Sequence, residues 1–175
     1  MQNNSEAFLK YKAIRGDEEL VLNLGCGQTN TAGTFGIDCI DFLNVDLVWD
    51  LTQGIPFDDN TFDAIIARDF LEHIQQGMPT VRIMEEIYRV LKVGGNVEFE
   101  VPSTEGNNIG AFQDPTHVSF WNKMKFFYFL SDEYGKGFRG LTNIQCWFKP
   151  ERLVTYYNEH DVTYVYGKLV KEEKH

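Results

Sequence analysis

The chain has 175 residues, of which 43% are hydrophobic and 24% charged, with a formal net charge of -10. This length suits a single domain, taken as residues 1–175, with a core of its own. The acidic balance makes nucleic acid an unlikely partner, because phosphate neutralisation needs a surplus of Lys and Arg. No stretch approaches a membrane span, and the first residues hold no apolar core of signal-peptide length. The three cysteines, Cys26, Cys39 and Cys146, lack metal-ligand spacing and are odd in number. Reduced thiols in a cytoplasmic protein are expected, with no metal.

In chain order, residues 5–14 read as a short amphipathic helix with Ser5 as its cap and Phe8, Leu9 and Ile14 as its apolar contacts. "ELVLNL" (19–24) is a buried strand that ends at Gly25. "TFGIDCI" (34–40), "LNVDLVWDL" (43–51) and "FDAIIARDF" (62–70) are further strands. "MPTVRIMEEIYRVLKVGG" is the clearest helix, with Pro79 in its first turn and Gly94-Gly95 as its stop. "NVEFEVPS" (96–103) alternates as a strand does. A polar loop (104–116), an aromatic helix "WNKMKFFYFLSDE" and two strands, "NIQCWFK" and "DVTYVYGKLVK", joined by "PERLVTYYNEH", complete the chain.

Strands alternating with helices imply an α/β fold: a doubly wound, mostly parallel, three-layered Rossmann-like sheet with an antiparallel C-terminal strand pair. Ligands of such sheets lie beyond the C-terminal strand ends. Gly25-Cys26-Gly27 leaves the first strand where only glycine reaches the needed φ cheaply. A dinucleotide fingerprint would place a third glycine at position 30, which is Asn30, so the loop is not built for a diphosphate. Asp38 ends the next strand, where a carboxylate can accept both hydroxyls of a ribose. Asp46 competes for that role. Asp50, followed by Leu51, could accept from an exocyclic amine. In "ARDFLEHI", Arg68 and Asp69 end a strand, and Glu72 and His73 open a short helical piece.

These motifs together resemble the class I S-adenosylmethionine-dependent methyltransferases over roughly residues 19–103. "VLNLGCG", "GID", "IPFDDNTFDAI…LEHI" and "EIYRVLKVGG" carry the likeness. The resemblance implies S-adenosylmethionine as donor, S-adenosylhomocysteine as product, and residues 19–103 as the cofactor-binding core. Gly25, Cys26 and Gly27 would then pass under the cofactor and Asp38 would hold its ribose. Asp50 and Leu51 would edge the adenine, and Arg68, Asp69 and Phe70 would line the methionine side. Asn23 replaces an acidic residue common before the Gly loop, which weakens the expected anchor for the ammonium group. Val93 replaces a proline common before the double glycine. A donor without phosphate also explains why the loop needs no full helix behind it.

The acceptor segment is expected at 104–135. Within it "QDPTHVSFW" resembles a stretch of some of these methyltransferases. Asp114 and His117 flank a proline turn, and His117 is the candidate base, since an unperturbed imidazole titrates near neutrality. A plain turn, with His117 capping or packing, is the competing reading. His73, Phe112, Phe120 and Trp121 are candidates to shape the acceptor pocket, although an aromatic helix face more often packs on its sheet; His160 is expected in solvent. The expected function is methyl transfer to a small molecule or saccharide. A non-catalytic partner subunit and a nicotinamide-dependent oxidoreductase stay open, as do the methylated atom, homo-oligomerisation and the acceptor's identity.

Overall fold

The computed structural model describes residues 6–174; the Ser5 cap lies outside the described residues. The first helix, α1 (Glu6–Arg15), docks through Phe8 and Tyr11, which share a face at i, i+3. Phe8 meets the rings of Phe35, Phe57 and Phe62 at centroid distances of 5.3, 4.4 and 5.5 Å. Leu9 and Ile14, expected to make these contacts, are exposed on the other side.

The strands are β1 (Val21–Leu24), β2 (Phe35–Asp38), β3 (Leu47–Val48), β4 (Phe62–Arg68), β5 (Leu91–Pro102), β6 (Phe148–Tyr157) and β7 (Thr163–Lys171). They form one sheet in the order β3-β2-β1-β4-β5-β7-β6. The five strands from β3 to β5 run parallel, and β7 and β6 add on antiparallel. Of the strand expected at 43–51, only Leu47 and Val48 pair. Asp46 turns its carboxylate to the Gly36 N–H instead, and Asp50 caps a 3-10 turn over Leu51–Gln53.

Helix α2 (Met78–Val90) buries Ile83, Met84 and Ile87. It ends before the double glycine, because Leu91 already pairs with Phe62 in β4. The expected aromatic helix breaks into α3 (Lys123–Phe126) and a 3-10 turn, Phe127–Phe129. A further helix, α4 (Glu133–Thr142), follows in a stretch whose glycines hid it, since glycine is a poor helix former. The sixth strand lies in the segment expected to be a connection, and 143–147 is irregular. Pro150 sits there at a bulge on the edge strand, a place where a missing N–H is tolerated.

Register places Leu22, Phe35, Ile65, Val97 and Leu169 on one face, all buried. Phe8 of α1 meets Phe35 on this face, and Phe126 of α3 stacks on Phe99 at 4.2 Å. From α2, Tyr88 meets Phe148, which pairs with the same-face Lys171. Through Glu85 of α2, Gln145 ties the end of α4 to this side as well. The expected third layer is thereby reduced to loops. On the opposite face the β1–β2 crossover carries Asn30 across Asn23 and Gly36. Asn23 Nδ2 donates to Asn30 Oδ1 at 3.0 Å, and Asn30 Nδ2 donates to Asp46 Oδ2 at 3.0 Å. A Cβ on Gly36 would meet Asn30 Nδ2 at 2.5 Å, so glycine is what lets the loop lie flat. Farther along that face Lys168 pairs with Glu98 and Glu151, a polar surface of the kind an antiparallel sheet shows to water.

Candidate active site

Two groups of residues touch the turn that leaves β4, one at Phe70 and one at Asp69. The first lies at the ends of β1, β2 and β3. Gly25 and Gly27 both take left-handed φ angles, 62° and 59°. A Cβ on Gly27 would meet nothing within 4 Å, leaving its backbone open to a ligand, whereas one on Gly25 would meet Phe70 Cδ2 at 2.7 Å. The space over Gly25 therefore belongs to the buried Phe70 ring. Asp38 is buried, and its Oδ2 accepts from Gly27 N at 2.9 Å while Oδ1 accepts from Ile40 N at 2.9 Å. Lone pairs remain on both oxygens.

Other members of this group serve the scaffold. Cys26 is buried beneath the loop, and burial with the nearby Asp38 and Asp46 carboxylates pushes its thiol up to about 11. Asn23 is committed to Asn30. Asp50 Oδ1 accepts from the N–H and hydroxyl of Thr52, and these bonds hold its carboxyl below the usual value. Leu51 turns into the core. Arg68 stays exposed at the end of β4.

The second group lines a cavity of about 350 Å3, including Asp69, Glu72, His73, Asp114, His117 and Tyr164. Asp69 has φ 46°, a left-handed conformation that strains a non-glycine residue and turns the chain sharply out of β4. The 3-10 turn Leu71–His73 is then fastened from the acceptor segment. Val118 N and Ser119 N donate to Glu72 O, and Ser119 Oγ and Trp121 Nε1 donate to Leu71 O. This zipper brings the His117 ring to 5.2 Å from that of His73. The Nδ1 of His117 lies 3.0 Å from Ala111 O, a carbonyl that can only accept, so Nδ1 carries a proton and, in the neutral tautomer, Nε2 has the lone pair.

Asp114 forms the turn weighed against catalysis: Oδ1 accepts from Thr116 N and Oγ1, both at 2.7 Å, and these bonds lower its pKa. Trp121 is fully buried, stacked on Phe126, and anchors the Leu71 turn instead of facing a ligand. Phe112 and Phe120 pack together, centroids 4.8 Å apart, on the exposed surface. His160 is exposed, as expected, yet reaches the cavity rim.

Glu72 is the residue that sequence reasoning passed over. It is 1% exposed, and neither carboxylate oxygen has a hydrogen-bond partner among the described residues. Burial, with Asp69 and Asp114 nearby, pushes its carboxyl up to about 8. The signal was an acidic residue following a buried apolar one, Leu71, with Ile74 buried two positions on, in "LEHI". Asn158 and Tyr164 were also missed, because only the antiparallel β6–β7 pair brings them to the cavity. A larger groove of about 920 Å3 runs between residues 49–59 and α2; of the expected residues it holds only Leu51.

Residues 22–99 match the family model of a methyltransferase domain. This stretch is similar to a methyltransferase domain and supports the resemblance to the class I S-adenosylmethionine-dependent methyltransferases. No curated protein matches the chain. Among solved structures, this chain is similar in fold to 1,6-didemethyltoxoflavin-N1-methyltransferase of Burkholderia thailandensis, crystallised with 1,6-didemethyltoxoflavin and S-adenosylhomocysteine. That match has a TM-score of 0.62 at 12% identity and covers 96% of this chain and 77% of the other. The putative methyltransferase complexed with the Trm112 activator of Haloferax volcanii gives 0.60 at 16%, covering 99% and 92%. The N-methyltransferase NodS of Bradyrhizobium japonicum, bound to S-adenosylhomocysteine, gives 0.59 at 12%, covering 96% and 85%. Among the described residues no helix is long and apolar enough to cross a membrane.

Proposed function

We propose that this chain is a methyltransferase that binds S-adenosylmethionine over Gly27 and Asp38 and methylates a small molecule or saccharide held in the 350 Å3 cavity. The observation that carries the reading is the turn Arg68–Phe70. The Phe70 ring lies on Gly25 at the donor side, and Asp69, its neighbour, lines the acceptor cavity. Donor and acceptor would thus meet at one turn, as alignment of a nucleophile with a methyl carbon requires.

The donor side fits the cofactor at the ribose: an open Gly27 backbone beside a carboxylate already fixed by that glycine's N–H. The cofactor supplies an activated methyl group on a sulfonium, so most of the protein's task is orientation. Gln113, Asn158 and Tyr164 offer hydrogen-bonding groups for the acceptor, and the cavity volume is in the small-molecule range. Asp69 and Asp114 make the cavity acidic, which favours a neutral or cationic acceptor over a phosphorylated one. His117 presents Nε2 to the acceptor's nucleophilic atom.

The test is calorimetric titration with S-adenosylhomocysteine, followed by labelled-methyl transfer to an acceptor panel. Wild type should bind at micromolar concentrations, and Asp38→Ala should lose at least about tenfold, roughly one charge-assisted hydrogen bond. His117→Ala should keep binding and lose transfer. Absence of binding by wild type would overturn the reading. A partner-subunit role draws support from the exposed Phe112–Phe120 pair beside the cavity; binding without transfer to any acceptor would favour it.

A further inference from the structure

We infer that Glu72, His73 and His117 form a binding site for a first-row divalent transition-metal ion in the acceptor cavity. The inference rests on the reading of that cavity as the acceptor site only for its consequence, not for the site itself. One ligand atom from each of the three residues lies within 4.8 Å of the others. Ligands of a tetrahedral ion with bonds of about 2.1 Å stand about 3.4 Å apart, so small side-chain rotations would close the set.

Three further observations point to a cation. Both oxygens of the buried Glu72 lack a hydrogen-bond partner among the described residues. A buried carboxyl without a partner is costly in either protonation state, and a coordinated ion would satisfy it. The Ala111 carbonyl holds His117 Nδ1, leaving Nε2 to coordinate, the backbone arrangement that orients metal-bound histidines elsewhere. The backbone of Glu72 is itself clamped by Val118 N and Ser119 N, so two ligands come from a rigid turn and the third from the strand of chain zipped to it. Asp69 and Asp114 on the wall add negative potential.

Two imidazoles and one carboxylate suit zinc, manganese, iron or nickel better than magnesium or calcium, which favour all-oxygen shells. Three protein ligands leave a position open. In the acceptor cavity, that position would take an acceptor's hydroxyl and lower its pKa, with the proton released to water. The preferred acceptor class is then a hydroxyl compound with a neighbouring oxygen, able to chelate. His117 would act as a ligand that prepares the nucleophile instead of as its base.

Chelator-treated protein titrated with zinc chloride by calorimetry tests the site directly. One ion per chain is expected, weakened at least tenfold by each of Glu72→Gln, His73→Gln and His117→Gln, with thermal melting to confirm that each variant is folded. His73 is exposed, so its variant reports even where the Glu72 substitution disturbs packing. Cobalt substitution should give a visible spectrum without thiolate charge transfer, excluding Cys39. No stoichiometric uptake by wild type, or uptake that ignores both Glu72→Gln and His117→Gln, would overturn the site. Zinc uptake in a protein that fails to bind S-adenosylhomocysteine would leave the site standing and refute the methyl-transfer reading.

Discussion

Gly25 illustrates how a motif residue can be kept for a reason other than the ligand. Its φ of 62° alone disfavours a side chain, by about 1–2 kcal/mol for a left-handed residue. The Phe70 ring then closes on the place a Cβ would occupy. Gly25→Ala is expected to lower stability by about 2 kcal/mol or more in denaturant unfolding. Adding Phe70→Leu should recover part of that loss, because residues in contact do not act additively. A fully additive double variant would show that the backbone angle alone matters. Gly27, with open space above it, is the better test of ligand approach. From letters alone the two glycines look equivalent; they separate only once the turn after β4 delivers Phe70.

Among elements, the loop 55–59 is tied to α2 by one network. Glu86 accepts from Ile55 N at 2.8 Å and from Arg89 Nε and Nη2, each at 2.7 Å, while Arg89 donates onward to the Ile55 and Phe57 carbonyls. Burial pulls the Glu86 carboxyl up, but Arg89 and the Ile55 N–H outweigh it and hold the pKa below the ordinary 4.5. A depressed carboxyl stabilises the fold above its unfolded value, and that contribution is lost as the pH falls through the folded value. Glu86→Gln should therefore cost about 1–2 kcal/mol near neutrality. The gap to wild type should narrow on titration below 4.5, read as melting temperature against pH. A gap independent of pH would mean that the charge contributes nothing. Elements with clear periodicity, such as α2 and β5, were legible in the sequence. Others were not: Pro150 reads as a strand breaker until its place at an edge bulge is known, and α4 carries glycines that argue against a helix. The loop Gly25–Gly27, proposed for the donor, was legible because it is local. The cavity proposed for the acceptor was not, since Glu72, His117 and Tyr164 converge only through the zipper at 118–121 and the antiparallel strands.

For the molecule as a whole, a formal charge of -10 on 175 residues implies self-repulsion in the folded state. Raising sodium chloride from about 20 mM to about 300 mM shortens the screening length severalfold and should raise the melting temperature by a few degrees. A falling melting temperature would instead indicate that ion pairs such as Lys92–Asp63 dominate. Layering sets a different limit. With the helices gathered on one side, the first crossover rests on a latch of two amides and one carboxylate, Asn23, Asn30 and Asp46. Amides are thermolabile. Deamidation of Asn30 would replace the donor facing Asp46 with a second negative charge at the same spot, so the protein's shelf life is written into this latch. Aged samples should shift to a more acidic isoelectric point and lose the shelf beside Asp38 before the rest of the sheet gives way.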